Sequence, residues 1–214
     1  IGVVGNADLE PEKTISYEVG IQYKLDSNSA VDMTMYFRDI RDLTGTRTEV
    51  IYTHNGATYH KYENSDFAFV KGLVLSYKRN YKNGFSTTID YTFQQAKGTA
   101  SDPFDAHNAQ VSNQYPEIHI IPLNWDQRHT VNSTLYYDSR NWGIGIIGKL
   151  GSGQPYTPKI NSSFSTLAQN SKNKPITWNI DLRAYWQIRI IENSKFYVNI
   201  FNVLDRLNHL NVYN

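Results

Sequence analysis

From Thr177 onward every second residue is apolar. Trp178, Ile180, Leu182, Ala184, Trp186, Ile188 and Ile190 form one set, and Thr177, Asn179, Asp181, Arg183, Tyr185, Gln187 and Arg189 form the other. A period of two held this long belongs to a β-strand, because a helix would wind the same apolar set around its whole circumference. The run is well beyond the usual strand of roughly five or six residues. Ile191 to Ser194 predict a tight turn, and Lys195 to Asp205 predict the returning strand. Long two-faced strands joined by minimal turns are what a transmembrane β-barrel requires, with the apolar face toward lipid and the polar face toward a lumen.

The pattern recurs along the chain. Thr14–Leu25 places Tyr17, Val19, Ile21, Tyr23 and Leu25 against Glu18, Gly20, Gln22 and Lys24. Val31–Ile40 returns with Val31, Met33, Met35 and Phe37 against Asp32, Thr34, Tyr36 and Arg38. Phe67–Arg79 is the least regular strand, interrupted at Lys71 and Gly72, and the Asn-Gly pair in Asn80–Gly84 signals a tight turn into Phe85–Gln95. Gln127–Tyr137 and Trp142–Leu150 form the third hairpin around Asp138–Asn141. Three polar stretches, about Arg41–Asp66, Ala96–Asp126 and Gly151–Ile176, have no sustained alternation and are expected as long loops, the first of them with room to extend the flanking strands.

Four hairpins with short turns, separated by long loops, predict an all-β fold: an antiparallel transmembrane β-barrel segment of about eight long strands. Short turns belong on the periplasmic side and long loops outside the cell. Aromatics gather beside the short turns, at Tyr23, at Tyr77, Tyr81 and Phe85, at Tyr137 and Trp142, and at Phe196, where an interfacial girdle would sit.

Composition narrows this little further. The 214 residues carry 21 basic and 20 acidic side chains, a net charge of +1, with no basic cluster to track a phosphate backbone, so no nucleic-acid partner is expected. There is no cysteine, so neither disulfides nor thiolate metal sites can form. No apolar run is long enough for a helical membrane span. The opening IGVVGNADLEPEK lacks the charged and apolar regions of a secretory signal.

Several segments resemble the C-terminal barrel region of TonB-dependent outer-membrane receptors. They are ADLEPEKTISYEVGIQYK (Ala7–Lys24), NSDFAFVKGLVLSYKR (Asn64–Arg79), PLNWDQRHTVNSTLYY (Pro122–Tyr137), GSGQPYTP (Gly151–Pro158), NIDLRAYW (Asn179–Trp186) and FNVLDRLN (Phe201–Asn208), in that order over nearly the whole chain. The resemblance implies a roughly 22-stranded barrel plugged by an N-terminal domain, importing scarce nutrients when energised from the inner membrane. It places residues 1–214 as one barrel segment, with the plug domain and the final strand outside this chain. The implied partners are outer-membrane lipids, a TonB-type energiser acting through the plug, and a surface lipoprotein. The implied cargo is an oligosaccharide, a peptide or a metal chelate. The motif style leans toward receptors with a carboxypeptidase-regulatory-like N-terminal domain, which take up saccharides or peptides.

Candidate chemistry is sparse, and no cofactor, metal site or catalytic residue is expected. WGIGIIG matches a dinucleotide fingerprint at Gly143, Gly145 and Gly148, but it lies inside a strand with no helix after it. The bland reading is that Gly143 and Gly145 thin the polar side of that strand. Asp102, Asp105 and His107, and Asp126 with His129, could be grouped as metal or acid/base sets, yet neither has a nucleophile or a full ligand count. Loop aromatics Tyr59, Tyr115, Trp125 and Tyr156 are the candidate ligand contacts. Glu18, Lys24, Asp32, Arg38, Asp90, Asp181 and Arg183 are the expected lumen-lining charges. Three alternatives stay open: a self-contained eight-stranded structural or adhesive barrel, closed by pairing of the strands at Thr14 and Lys195; an outer-membrane barrel enzyme with a catalytic cluster among its loops; and a soluble ligand-binding barrel.

Overall fold

The structure is a computed structural model describing residues 2–46, 51–111, 119–158, 169–188 and 194–209. Its elements are β1 (Gly2–Val4), β2 (Lys13–Asp26), β3 (Ser29–Thr46), β4 (Ile51–Tyr52), β5 (Thr58–Asn80), β6 (Phe85–Gly98), α1 (Asp105–Val111), β7 (Ile121–Pro122), β8 (His129–Asp138), β9 (Trp142–Gly151), β10 (Pro155–Tyr156), β11 (Lys172–Asn173), β12 (Thr177–Ile188) and β13 (Ser194–Ile200). The eight long strands form one antiparallel sheet in the order β13-β12-β9-β8-β6-β5-β3-β2. Every neighbouring pair among them is a hairpin or is joined by a long loop, as the alternating connection lengths require.

Directly paired residues of an antiparallel ladder share a face, so the register sorts the whole chain. Ile21, Met33, Leu75, Tyr91, Val131, Leu150 and Trp178 stand opposite one another across seven strands. One step along, Gln22, Asp32, Ser76, Asp90, Asn132, Lys149 and Asn179 form a second row that is wholly polar. A slip of one residue at any ladder would put polar groups into the apolar row, which is why the register is strongly specified.

The apolar face carries no covering layer among the described residues: Val19 is 66% exposed, Ile21 70% and Trp186 60%. A water-soluble sandwich would bury these side chains, so the uncovered face excludes that alternative. At the short-turn end the aromatics meet ring to ring, Phe85 with Tyr137 at 4.6 Å and Tyr137 with Trp142 at 5.1 Å between centroids. Trp142, Trp186 and Phe196 continue that band in register.

Glycine matters at two kinds of place. Gly84 takes φ 89° to close the Asn80–Gly84 turn, where the Tyr81 N–H donates to the Phe85 carbonyl at 2.7 Å. On the polar face of β9, a Cβ at Gly145 would stand 2.7 Å from Tyr136 Cδ2, and one at Gly143 would stand 2.6 Å from the Tyr136 hydroxyl. Gly143 and Gly145 of the fingerprint are thus a bed for Tyr136 and Tyr185, whose rings replace the missing side chains, while Gly148 stands on the other face against Ser133 Oγ.

Four features depart from the expected boundaries. The Arg41–Asp66 stretch is largely strand, since β3 runs on to Thr46 and β5 begins at Thr58. A bulge hides this in the sequence: the register shifts between Ile40 and Leu43, with Asp42 at φ 59°, so alternation changes phase there. The Ala96–Asp126 loop holds α1 and β7, and β10 and β11 pair inside Gly151–Ile176. β1 adds in parallel to the projecting end of β5, Gly2 opposite Tyr59. Finally, β13 ends at Ile200 and does not continue to Asp205, because Asn202 and Asp205 adopt φ 50° and 48°. There the Asn202 N–H donates to the buried Asp181 carboxylate at 2.9 Å, and Asn208 then bonds both the N–H and the carbonyl of Trp178 at 3.1 and 3.0 Å. Phe201 and Val203 share the parity of Asn199, which stands on the polar face opposite Arg183, so the alternation breaks where this loop begins.

Two measurements test the two faces. In lipid vesicles, Leu75→Arg on the apolar face is expected to lower unfolding free energy by about 2–4 kcal/mol, while Thr88→Lys on the polar face changes it little. Gly145→Val is expected to cost about 1–3 kcal/mol through the clash with Tyr136, read by the urea midpoint.

Candidate functional site

The loops fold back over the polar face at the long-loop end. Ala68, Val70, Ala96 and Leu123 form a small buried cluster there, with Tyr36, Ile40 and Leu43 packed against it. Pro122–Arg128 turns over the end of β6: the Leu123 N–H donates to the Ala96 carbonyl at 3.1 Å, and the Asp126 carboxylate accepts from the Ala96 N–H at 2.8 Å and Arg128 Nε at 2.7 Å. Asp126 is 1% exposed, so its charge is tolerated only because both bonds and the guanidinium meet it. Asn170, also buried, joins this turn to the next loop, donating through Nδ2 to the Pro122 carbonyl at 2.8 Å and Asn124 Oδ1 at 2.9 Å.

Helix α1 lies over the projecting ends of β3 and β5. Asp105 accepts from the Ser101 and Asp102 N–H groups at 2.9 and 3.1 Å, and from Gln169 Nε2 at 3.0 Å, which closes the turn before the helix. The His107 N–H donates to Thr46 Oγ1 at 3.1 Å. Its ring meets the fully buried His60 edge-on at 5.0 Å, and Phe104 meets Tyr62 at 5.7 Å. Burial first, and the neighbouring His60 second, hold the His107 imidazole below its usual value of 6.5.

The sequence-selected aromatics are dispersed. Tyr59 is half-buried in β5, opposite Gly2 and Ile51. Trp125 is 44% exposed at the tip of the Pro122–Arg128 turn. Tyr156 sits in β10 opposite Lys172. Tyr115 lies outside the described residues. Among the described residues no ring contact joins Tyr59, Trp125 and Tyr156 to one another.

All seven selected charges stand on the polar face. Glu18 and Arg38 pair at 3.7 Å, both about half exposed, a separation that adds little stability in water. Asp90 accepts from Ser76 Oγ at 2.6 Å, Asp32 lies in the same row, and Lys24 ends that face of β2. Asp181 is 3% exposed, with Lys149 Nζ at 3.6 Å, and holds the Asn202 loop; Arg183 beside it is exposed. The two loop groupings dissolve: Asp105 is spent on backbone N–H groups, and His129 shares a hydrogen bond with Tyr91 at 2.9 Å while Asp126 takes Arg128. His60, Thr46 and Asn170 were invisible in the sequence, since each is partnered across 46 or more residues.

An open sheet of eight long tilted hairpin strands with a bare apolar face and loops folded over the polar one is an arc of barrel wall. The sequence profile described as TonB dependent receptor-like, beta-barrel, matches residues 1–203. The chain belongs to this family. Its members are receptors and transporters, and this TonB-dependent receptor barrel is a bacterial outer-membrane protein. The chain is 25% identical over 183 residues to the "Probable TonB-dependent siderophore receptor PirA" of Acinetobacter baumannii, covering 81% of this chain and 23% of PirA. The outer membrane transporter YddB from Escherichia coli superposes with a TM-score of 0.73 at 12% identity, covering 96% of this chain and 30% of YddB. The pyoverdine outer membrane receptor FpvA from Pseudomonas aeruginosa does so with a TM-score of 0.63 at 17% identity, covering 96% and 27%. This receptor segment therefore spans under a third of the length of each relative.

The His60–His107 contact predicts a pH response of the loop layer. Because the docked His107 resists protonation, the undocked form takes up the proton first as pH falls below 6.5, so docking of α1 is complete above that value and weakens beneath it. Hydrogen exchange across residues 101–111 is expected to quicken between about pH 7.5 and about pH 5.5, beyond the intrinsic chemical trend. His107→Phe is expected to flatten the response.

Proposed function

We propose that this chain is part of the wall of an outer-membrane importer that takes up a metal chelate, the metal-chelate member of the three cargo classes the sequence suggests. The observation that carries the reading is the sheet's two open edges. β2 and β13 do not pair with each other among the described residues, so eight strands alone would leave backbone groups unsatisfied in hydrocarbon, at several kcal/mol each. Further strands of the same receptor complete the wall, a plug domain fills its lumen, and a TonB-type partner supplies energy through that plug. This also ranks the self-contained eight-stranded barrel second, since direct pairing of β2 with β13 is what it requires.

In this reading Glu18, Lys24, Asp32, Arg38, Asp90, Asp181 and Arg183 line a hydrated lumen, with Asp181 a structural anchor more than a conductor. Trp125, Tyr59 and Tyr156, with Tyr115, belong to the ligand-facing loops, and Trp125 is the best placed because its ring is exposed on a rigid turn. The names of the relatives support a chelate over a saccharide or peptide: PirA is described as a siderophore receptor, and FpvA is described bound to pyoverdine.

The test is uptake by cells expressing the full-length receptor. Iron-55 presented on a panel of catecholate and hydroxamate siderophores is expected to enter with at least one of them, only while the inner-membrane energiser is intact. Trp125→Ala is expected to weaken that uptake roughly tenfold at limiting ligand, the loss of one good aromatic contact. Entry of no chelate, together with receptor-dependent uptake of an oligosaccharide or peptide, would overturn the cargo class.

A further inference from the structure

We propose that the short-turn rim between β5 and β6 is a binding site for one anionic phospholipid, of the phosphatidylglycerol type, from the periplasmic leaflet. The apolar face there is not smooth. Tyr81, Asn83, Phe85, Thr87 and Leu135 enclose an open cleft of about 240 Å³. Its floor comes from the register: Arg79, Thr87 and Leu135 stand opposite one another on β5, β6 and β8. Thr87 is the small residue between Phe85 and Ile89 on that face of β6, so the chain's ridge dips there.

The cleft changes character along its length. At the membrane end it is apolar, with Phe85 38% and Leu135 44% exposed. At the water end it is polar and basic. Asn83 offers an amide, exposed Lys82 adds a second cation in the turn, and the Arg79 guanidinium lies over the Tyr81 ring at 4.8 Å. Stacking on an aromatic face orients the planar fork of the arginine, which also hydrogen-bonds the Tyr77 side chain and keeps further N–H groups for an anionic acceptor. Neither Arg79 nor Lys82 forms an ion pair among the described residues. The neighbouring carboxylate, Asp26, accepts from the Asn28 N–H at 2.7 Å and lies near enough to Arg79 to attract it electrostatically, offsetting part of the positive charge.

A phosphodiester fits the basic end and an acyl chain fits the apolar end, and only a phospholipid brings both on one molecule. The short turns face the periplasm in this fold, which selects the phospholipid leaflet over the outer glycolipid one. A net negative headgroup is favoured because two cations, Arg79 and Lys82, outweigh the one carboxylate, Asp26, near them.

The test uses full-length receptor in nanodiscs of equal phosphatidylglycerol and phosphatidylcholine, released into native mass spectrometry. The wild type is expected to retain phosphatidylglycerol over phosphatidylcholine, and Arg79→Gln with Lys82→Gln is expected to reduce that preference roughly tenfold. Thr87→Trp, which fills the floor without touching charge, is expected to remove the retained lipid as well. Lys24→Gln, on the polar face, leaves retention unchanged. Heat-modifiable gel mobility confirms that each variant is folded, and Thr87→Leu serves if the tryptophan is not. Equal retention of both lipids by the wild type overturns the proposal. So does loss on charge removal alone with the Thr87 variants unaffected, which would leave only diffuse headgroup attraction, or displacement of the lipid by inorganic phosphate.

Discussion

Backbone hydrogen bonding in a medium without water is the constraint beneath everything else here. A chain that crosses hydrocarbon with strands must pair each N–H and carbonyl with a neighbouring strand. The eight long strands do so in unbroken antiparallel ladders, with shifts confined to the ends of β2 and the outer part of β3. Once the ladders are set, the pleat leaves each side chain only two directions. The row from Ile21 to Trp178 and the row from Gln22 to Asn179 are the same ladders seen from opposite sides.

What distinguishes this wall from a generic one happens at its two rims. At the long-loop rim, three anchoring contacts come from distant parts of the chain: Asp126 is met by the end of β6, Asn170 by the Pro122 turn, and α1 by Thr46. These contacts place the loops over the polar face and hold Trp125 outward. At the short-turn rim, aromatic rings and the Arg79–Tyr81 stack make a boundary with an apolar and a basic side. Exposed charge pairs on the polar face, such as Glu18–Arg38, contribute little to holding the sheet together, since they remain hydrated.

The same physics explains which parts could be read in advance. The eight long strands, their pairing order and their facing were legible, because alternation and connection length are local properties, whereas the two- and three-residue strands were not. How far β3 extends was not legible, since a bulge at Asp42 reverses the phase of the pattern. The early end of β13 was legible only as a break in phase at Phe201; the loop itself is set by Asp181, more than twenty residues earlier, which pulls the chain inward. The Gly143–Gly148 motif was read rightly as thin strand, but its tyrosine filling needed the register that brings Tyr136 and Tyr185 to either side of β9.

Sequence alone determined the two-faced strands and their hairpin order, because a side chain's direction in a strand follows from parity; that the apolar face stays uncovered among the described residues was settled by the structure. Tertiary structure decided where the loops fold, which polar groups are buried, and that Asp181 is an anchor and His60 the partner of His107. Those outcomes depend on residues brought together across tens of positions, for which no local period exists.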